Sequence, residues 1–173
     1  MKVKPGNENK YLEVQKSWKK LHELRLKTGN ILTWALYRPM FTGLDYQWQY
    51  VTVTLYKDIA AYKNAHWSDS LGNLAYPNFT AKDWDDFSTK TGEARVLSEV
   101  LVYNLLVEAK TKALKPAKYL QLTNMYVKPG NEGAYENLEK NIFKPLHEEA
   151  IKTGQMEDGV NGPEIILMIN TLR

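Results

Sequence analysis

The chain of 173 residues contains no cysteine, so disulfide cross-links, thiolate nucleophiles and Cys-ligated zinc are all excluded. It has only three histidines, which leaves few imidazoles for a metal centre. No apolar run approaches the roughly 20 residues that a membrane-spanning helix needs. A large charge of one sign is also missing. Lys plus Arg number 23 against 20 for Asp plus Glu, and the net charge of +3 is too small and too dispersed to argue for nucleic acid or an anionic membrane as partner. There is no Gly-x-Ser-x-Gly elbow or dinucleotide fingerprint, and the KPGNE segments lack both the glycine spacing and the Lys-Ser/Thr pair of a phosphate loop. The chain does have 43% hydrophobic and 25% charged residues, the balance of a folded globular protein rather than a disordered one. It is rich in Tyr (11) and Trp (5).

Self-similarity is the strongest positive signal. Residues 1–16 read MKVKPGNENKYLEVQK and residues 125–140 read MYVKPGNEGAYENLEK, sharing VKPGNE and a following tyrosine, Tyr11 or Tyr135. After one extra residue in the second copy the match resumes: Lys19, Leu21, His22, Glu23 and Lys27-Thr28-Gly29 correspond to Lys144, Leu146, His147, Glu148 and Lys152-Thr153-Gly154.

Both copies follow the same local chemistry. An extended stretch (residues 1–4; residues 119–128) meets Pro-Gly, a turn in which Pro presets φ and Gly permits positive φ. Asn7 and Asn131 stand at the N-cap positions, and Glu8 and Glu132 favour the positive end of the helix dipole. Tyr11, Val14, Trp18, Leu21 and Arg25 recur at spacings of three and four and predict one buried helix face. Gly29 and Gly154 are expected to end the helices in the left-handed conformation, each preceded by a Lys suited to the carbonyl end. The extra residue of the second copy falls close to Pro145, which has no N–H and would strike the carbonyl four residues back. The spacing therefore predicts a π-bulge or kink near residues 142–145 that absorbs insertion and proline together.

Residues 31–37 (ILTWALY) and 49–56 (QYVTVTLY) predict strands joined by the loop RPMFTGLDYQ. The second alternates Tyr50, Thr52, Thr54, Tyr56 against Val51, Val53, Leu55; either set could face the helices and leave the other for a partner. A short helix is expected near residues 59–62. Thr80 and Asp83 form a capping box with Asp in place of Glu, opening a helix towards Leu97 in which Gly92 is the candidate point of interruption. Residues 99–108 (EVLVYNLLVE) read as a further strand, and residues 111–117 as a polar linker. The expected fold class is α+β. Residues 1–113 follow the ferredoxin-like order βαββαβ, an antiparallel sheet with both helices on one face, and residues 118–173 form an incomplete second copy ending in the apolar strand EIILMINTL.

VKPGNE with its aromatic helix, the Leu-His-Glu step, the Lys-Thr-Gly helix end and the YVTVTLY strand together resemble the dimeric α/β-barrel superfamily, in particular its tandem-repeat proteins of the stress-responsive-barrel and antibiotic-biosynthesis-monooxygenase type. The resemblance covers nearly all of the first copy and the front of the second. It implies two ferredoxin-like units facing each other through their sheets, here as a homodimer, with a pocket between sheet and helices. It also implies a cell-envelope location after removal of a signal peptide, which would make this start a processed or trimmed one; the cytoplasm is the other expectation. A sheet with helices on one face only has an apolar side to cover, which agrees with pairing.

The candidate site residues are His22, Trp18, Trp34, Tyr37, Tyr50 and His147. The repeat places His22 and His147 equivalently, and on a helical wheel His22 lies within about 20° of Tyr11, directed with Trp18 towards the sheet. Such a histidine could anchor a ligand, act as a base or bind haem, or it could be a packed ring bonded to its neighbours. Trp18, Trp34, Tyr37, Trp48, Tyr50 and Tyr103 could line a pocket for a small apolar or aromatic molecule, or simply fill core and interface. The resemblance adds the alternative of a cofactor-independent monooxygenase or haem-binding relative using His22. Neither cofactor nor metal is expected: His22-Glu23 and His147-Glu148 begin like HExxH, but Leu26 and Ile151 stand at the second histidine. Asp83, Asp85 and Asp86 read as an acidic helix start, and His66-Trp67 as a surface turn rather than a lid.

Overall fold

The computed structural model describes residues 1–40, 48–65, 69–97, 99–109, 121, 123 and 125–153. It is an α+β protein with small antiparallel sheets. The chain divides into two compact units, Met1–Val100 and Leu101–Arg173. Among the described residues no helix is long and apolar enough to cross a membrane.

In the first unit, strand β1 (Lys2–Val3) runs through the KPGN turn into helix α1 (Glu8–Lys27). Gly6 takes φ +75°, as the turn requires, and the Asn7 N–H donates to the Lys4 carbonyl at 3.0 Å. Asn7 occupies the N-cap, but its side chain accepts nothing from the helix. Its amide instead donates to the Glu93 carbonyl at 3.2 Å, while Lys4 donates to Gly92 through Nζ and to Ala94 through its backbone N–H. The turn thus satisfies the last carbonyls of another helix, α4 (Ala81–Ala94), which otherwise lack partners. At the far end of α1, Gly29 takes φ +74°; Asn30 donates to Arg25 and Gly29 to Leu26, a Schellman closure.

The face expected from the spacing is the one that α1 buries, carrying Tyr11, Val14, Gln15, Leu21 and Arg25. Tyr11, Leu21 and Ile31 are the largest side chains shut off from solvent. Each such burial contributes about 1.5–3 kcal/mol.

Strands β2 (Thr33–Tyr37) and β3 (Val51–Leu55) pair antiparallel, with Thr33 opposite Leu55, Ala35 opposite Val53 and Tyr37 opposite Val51. Strand β1 pairs antiparallel with β4 (Arg95–Val96). Met1 N donates to the Tyr50 carbonyl at 2.7 Å and Tyr50 N to the Met1 carbonyl at 3.4 Å, so backbone hydrogen bonds also link the two pairs. Tyr50 lies on Tyr11 with ring centroids 4.5 Å apart, inside a core of Val3, Tyr11, Val14, Tyr50 and Ala94. Of the two arrangements open for the second strand, the structure therefore adopts the one with the tyrosine set towards α1. Strand alternation leaves Thr33, Ala35, Tyr37, Val51, Val53 and Leu55, all half-buried, on the opposite face.

Helices α2 (Ile59–Asn64), α3 (Asp69–Ala75) and α4 complete this unit. Helix α3 has no counterpart in the sequence expectation. The capping box does: Thr80 Oγ1 accepts from Asp83 N, and Asp83 Oδ2 accepts from Thr80 N at 2.7 Å. Gly92 lies within an unbroken α4.

A correction concerns residues 99–108. They form no strand; the two residues Arg95–Val96 pair with β1 instead. Val100, Leu101, Val102, Leu105 and Leu106 are exposed, so apolar side chains occupy both alternating sets. An extended segment becomes a strand only when its backbone groups find a ladder, and among the described residues none is offered here.

In the second unit Asn131 N donates to the Lys128 carbonyl at 3.0 Å and Gly130 takes φ +87°, the turn geometry of the first VKPGNE. The chain then forms α5 (Glu132–Leu138), a π-helical turn (Glu139–Phe143) and α6 (Lys144–Lys152). The Lys144 N–H reaches back five residues to the Glu139 carbonyl, and Pro145 sits at the start of α6. The bulge expected near residues 142–145 is present just ahead of the proline. Thr153 Oγ1 donates to the Glu149 and Ala150 carbonyls as Thr28 Oγ1 does to Leu24 and Arg25. Gly154, the linker at 111–117 and the expected terminal strand lie outside the described residues.

Candidate functional site

Helix α1 and strand β2 bring three of the expected residues together. The half-buried imidazole of His22 lies on the Trp34 indole with centroids 4.5 Å apart and planes 16° from parallel. Trp18, one turn earlier on α1, stands 6.1 Å from the same imidazole at 27°. Trp18 is itself held by Phe87 of α4 at 5.1 Å and by a hydrogen bond from its Nε1 to Thr91 Oγ1 at 3.4 Å.

Arg25 fixes the chemistry of this histidine. Its Nη1 donates to His22 Nδ1 at 3.2 Å. A guanidinium has donors only, so Nδ1 must present its lone pair and the ring proton sits on Nε2. Burial, and then the Arg25 charge, hold His22 down at about 4, so the imidazole is neutral at physiological pH. Arg25 is only 8% exposed, and its Nη2 donates to the Tyr56 hydroxyl and the Ala65 carbonyl, both at 3.4 Å. Tyr56 in turn meets Tyr62 of α2 edge-on at 5.3 Å. In this tautomer His22 carries an Nε2–H donor. It has no lone pair free to abstract a proton or bind iron unless Nδ1 first parts from Arg25.

The other expected residues lie elsewhere. Tyr37 projects from the opposite face of β2 to Trp34, three residues along a strand of period two, and burial raises its hydroxyl. Tyr50 belongs to the core beside Tyr11, whose hydroxyl burial pushes up to about 12. His147 is half-buried on α6 of the second unit, where the residue one turn earlier is the exposed Phe143 in place of Trp18. Asp83 is committed to the capping box, and its hydrogen bonds with Thr80 lower its carboxyl. His66 and Trp67 lie outside the described residues. Among the described residues no three His, Asp or Glu side chains converge as metal ligands would.

Sequence reasoning placed Arg25 on the buried face but did not join it to His22 or Tyr56. The signal was its spacing of three from His22 on one helix, combined with burial of a charge at a helix end. A second missed feature is an aromatic cluster between α3 and the start of α4, where Tyr76 and Phe79 of the connecting loop and Trp84 of α4 pack at 4.3–6.0 Å and Lys20 lies 4.3 Å above Tyr76.

No protein-family model matches the chain, and comparison with curated proteins and with solved structures finds no significant match.

Proposed function

We propose that the chain is a small-molecule-binding protein of the dimeric α/β-barrel type, holding an apolar or aromatic ligand between the sheet and helix α1 of its first unit. The observation that carries this reading is the stack of Trp18, His22 and Trp34: two indoles and one neutral imidazole, drawn from a helix and a facing strand. Flat rings of low charge suit a flat apolar guest, and the Nε2–H supplies one directional donor.

The ferredoxin-like plan belongs to the same proposal. Joining the two strand pairs through the Met1–Tyr50 bonds gives the order β2-β3-β1-β4, the antiparallel arrangement of a βαββαβ unit. The recurrence of turn, N-cap conformation and threonine back-bonding in the second unit supports its origin as a partial duplicate. The face bearing Ala35, Val53 and Leu55 is the one a second copy would cover, making a homodimer.

A cofactor-independent monooxygenase or haem-binding relative would need a lone pair on His22, and the Arg25 hydrogen bond occupies the one it has. Binding is therefore the reading adopted. Mass spectrometry under native conditions on the full chain tests it directly. A small aromatic or apolar molecule should co-purify and be lost on His22→Gln with the fold retained. A ligand-free protein that binds no added benzyl alcohol, with tryptophan fluorescence unchanged, would contradict it.

A further inference from the structure

Arg25 is a charged side chain, 8% exposed, whose described contacts are all neutral: His22 Nδ1, the Tyr56 hydroxyl and the Ala65 carbonyl. Among the described residues no carboxylate pairs with it, although exposed Lys–Glu pairs are plentiful on the helices. Removing a cation from water without a counter-charge is costly, and buried charges are ordinarily paired. Of the five guanidinium N–H groups, three are used, two of them in contacts at 3.4 Å that are long for N–H···O. The group that would complete this environment is an anion, and the rings of His22 and Tyr56 beside the guanidinium favour a planar one.

We propose that Arg25 is the anchor for the carboxylate of a small aromatic acid whose ring packs along His22 and Trp34. The inference rests on the binding reading above and narrows its ligand from an apolar molecule to an anionic aromatic one. Arg25 takes the carboxylate through its uncommitted N–H groups, strengthened by charge, while Tyr56 can turn its hydroxyl to donate to the same anion. His22 keeps its place as a neutral wall because Arg25 continues to hold Nδ1.

Benzoate and benzyl alcohol, equal in ring and different in charge, separate the two claims. Titrated into the full-length protein and followed by tryptophan fluorescence and calorimetry, benzoate should bind about tenfold or more tightly than benzyl alcohol. Arg25→Gln should remove that preference and Arg25→Lys should keep part of it. Equal binding of both probes would overturn the carboxylate anchor and leave the apolar-ligand reading standing; binding of neither would overturn both. A preference for benzoate that survives Arg25→Gln would also overturn the anchor. Should the Arg25 variants fail to fold, the wild-type histidine signal serves instead. Benzoate should raise the titration midpoint of His22 by screening Arg25, and benzyl alcohol should not; an unmoved midpoint on benzoate saturation contradicts the proposal.

Discussion

His22 and Trp34 lie face to face, one from the last third of a helix and the other from the strand beneath it, with centroids 4.5 Å apart. The contact keeps water from one side of the imidazole, and Arg25 occupies its Nδ1. Both effects disfavour the imidazolium.

Acid should therefore weaken the first unit through this residue. The folded value of about 4 lies below the ordinary 6.5, so the unfolded chain takes up the proton first. The stability that the neutral ring contributes is complete above about pH 6.5 and is lost as pH falls towards 4. With allowance for the ring's partial solvent contact the loss is on the order of 1–2 kcal/mol. All five tryptophans precede residue 101, so urea unfolding followed by their fluorescence reports the first unit. Wild type should lose more stability than His22→Gln between pH 7 and pH 4.5; identical losses would exclude the assignment.

Two glycine substitutions should have opposite signs. Gly29 holds φ +74° in the Schellman closure and an added Cβ meets nothing within 4 Å, so Gly29→Ala costs backbone strain alone, about 1 kcal/mol. Gly92 lies inside α4, again with open space for a Cβ, so Gly92→Ala should stabilise by about 0.5–1 kcal/mol. Denaturation midpoints moving in the same direction would contradict this account of the two sites.

The π-turn and Pro145 should be energetically coupled. Deleting the exposed Asn141 returns the register to an ordinary helix and sets Pro145 against the carbonyl four residues before it, at a cost of about 3 kcal/mol. Adding Pro145→Ala to the deletion should recover most of that loss, as seen in circular-dichroism melting of the double-mutant cycle. Additive effects would show that the bulge and the proline are independent.

The pairing proposed for the sheet face can be tested without touching the aromatic stack. Val53 is half-buried on the face opposite Trp34. Val53→Lys is expected to turn a dimer into a folded monomer in sedimentation equilibrium, because a lysine at the centre of an apolar contact is left unpaired. An unchanged mass would place any self-association elsewhere.

The parts of this fold that could be read in advance are those determined by neighbours in sequence. Tyr11 to Arg25 declare a helix face by spacing, Thr80 and Asp83 declare a cap, and one inserted residue beside Pro145 declares a π-turn. What could not be read depends on distant partners. Residues 99–108 have the composition of a strand yet lack a ladder, while the polar Arg95 supplies half of one because its backbone reaches β1. At the site, the step of four from Trp18 to His22 places both on one helix face. Trp34 and Tyr37, three apart on a strand, had to part to opposite faces. The bond from Arg25 to His22 was hidden because a cation near a helix end ordinarily serves the terminal carbonyls.

The most direct test of the site is a long-range proton–nitrogen correlation spectrum of the histidines of the full-length protein at pH 7, with His22→Gln identifying the resonances of His22. Nδ1 of His22 should carry the lone pair and Nε2 the proton, with no titration until the pH approaches 4. A ring that protonates near 6.5, or one that carries its proton on Nδ1, would contradict the neutral, Arg25-bound imidazole on which the proposed binding site is built.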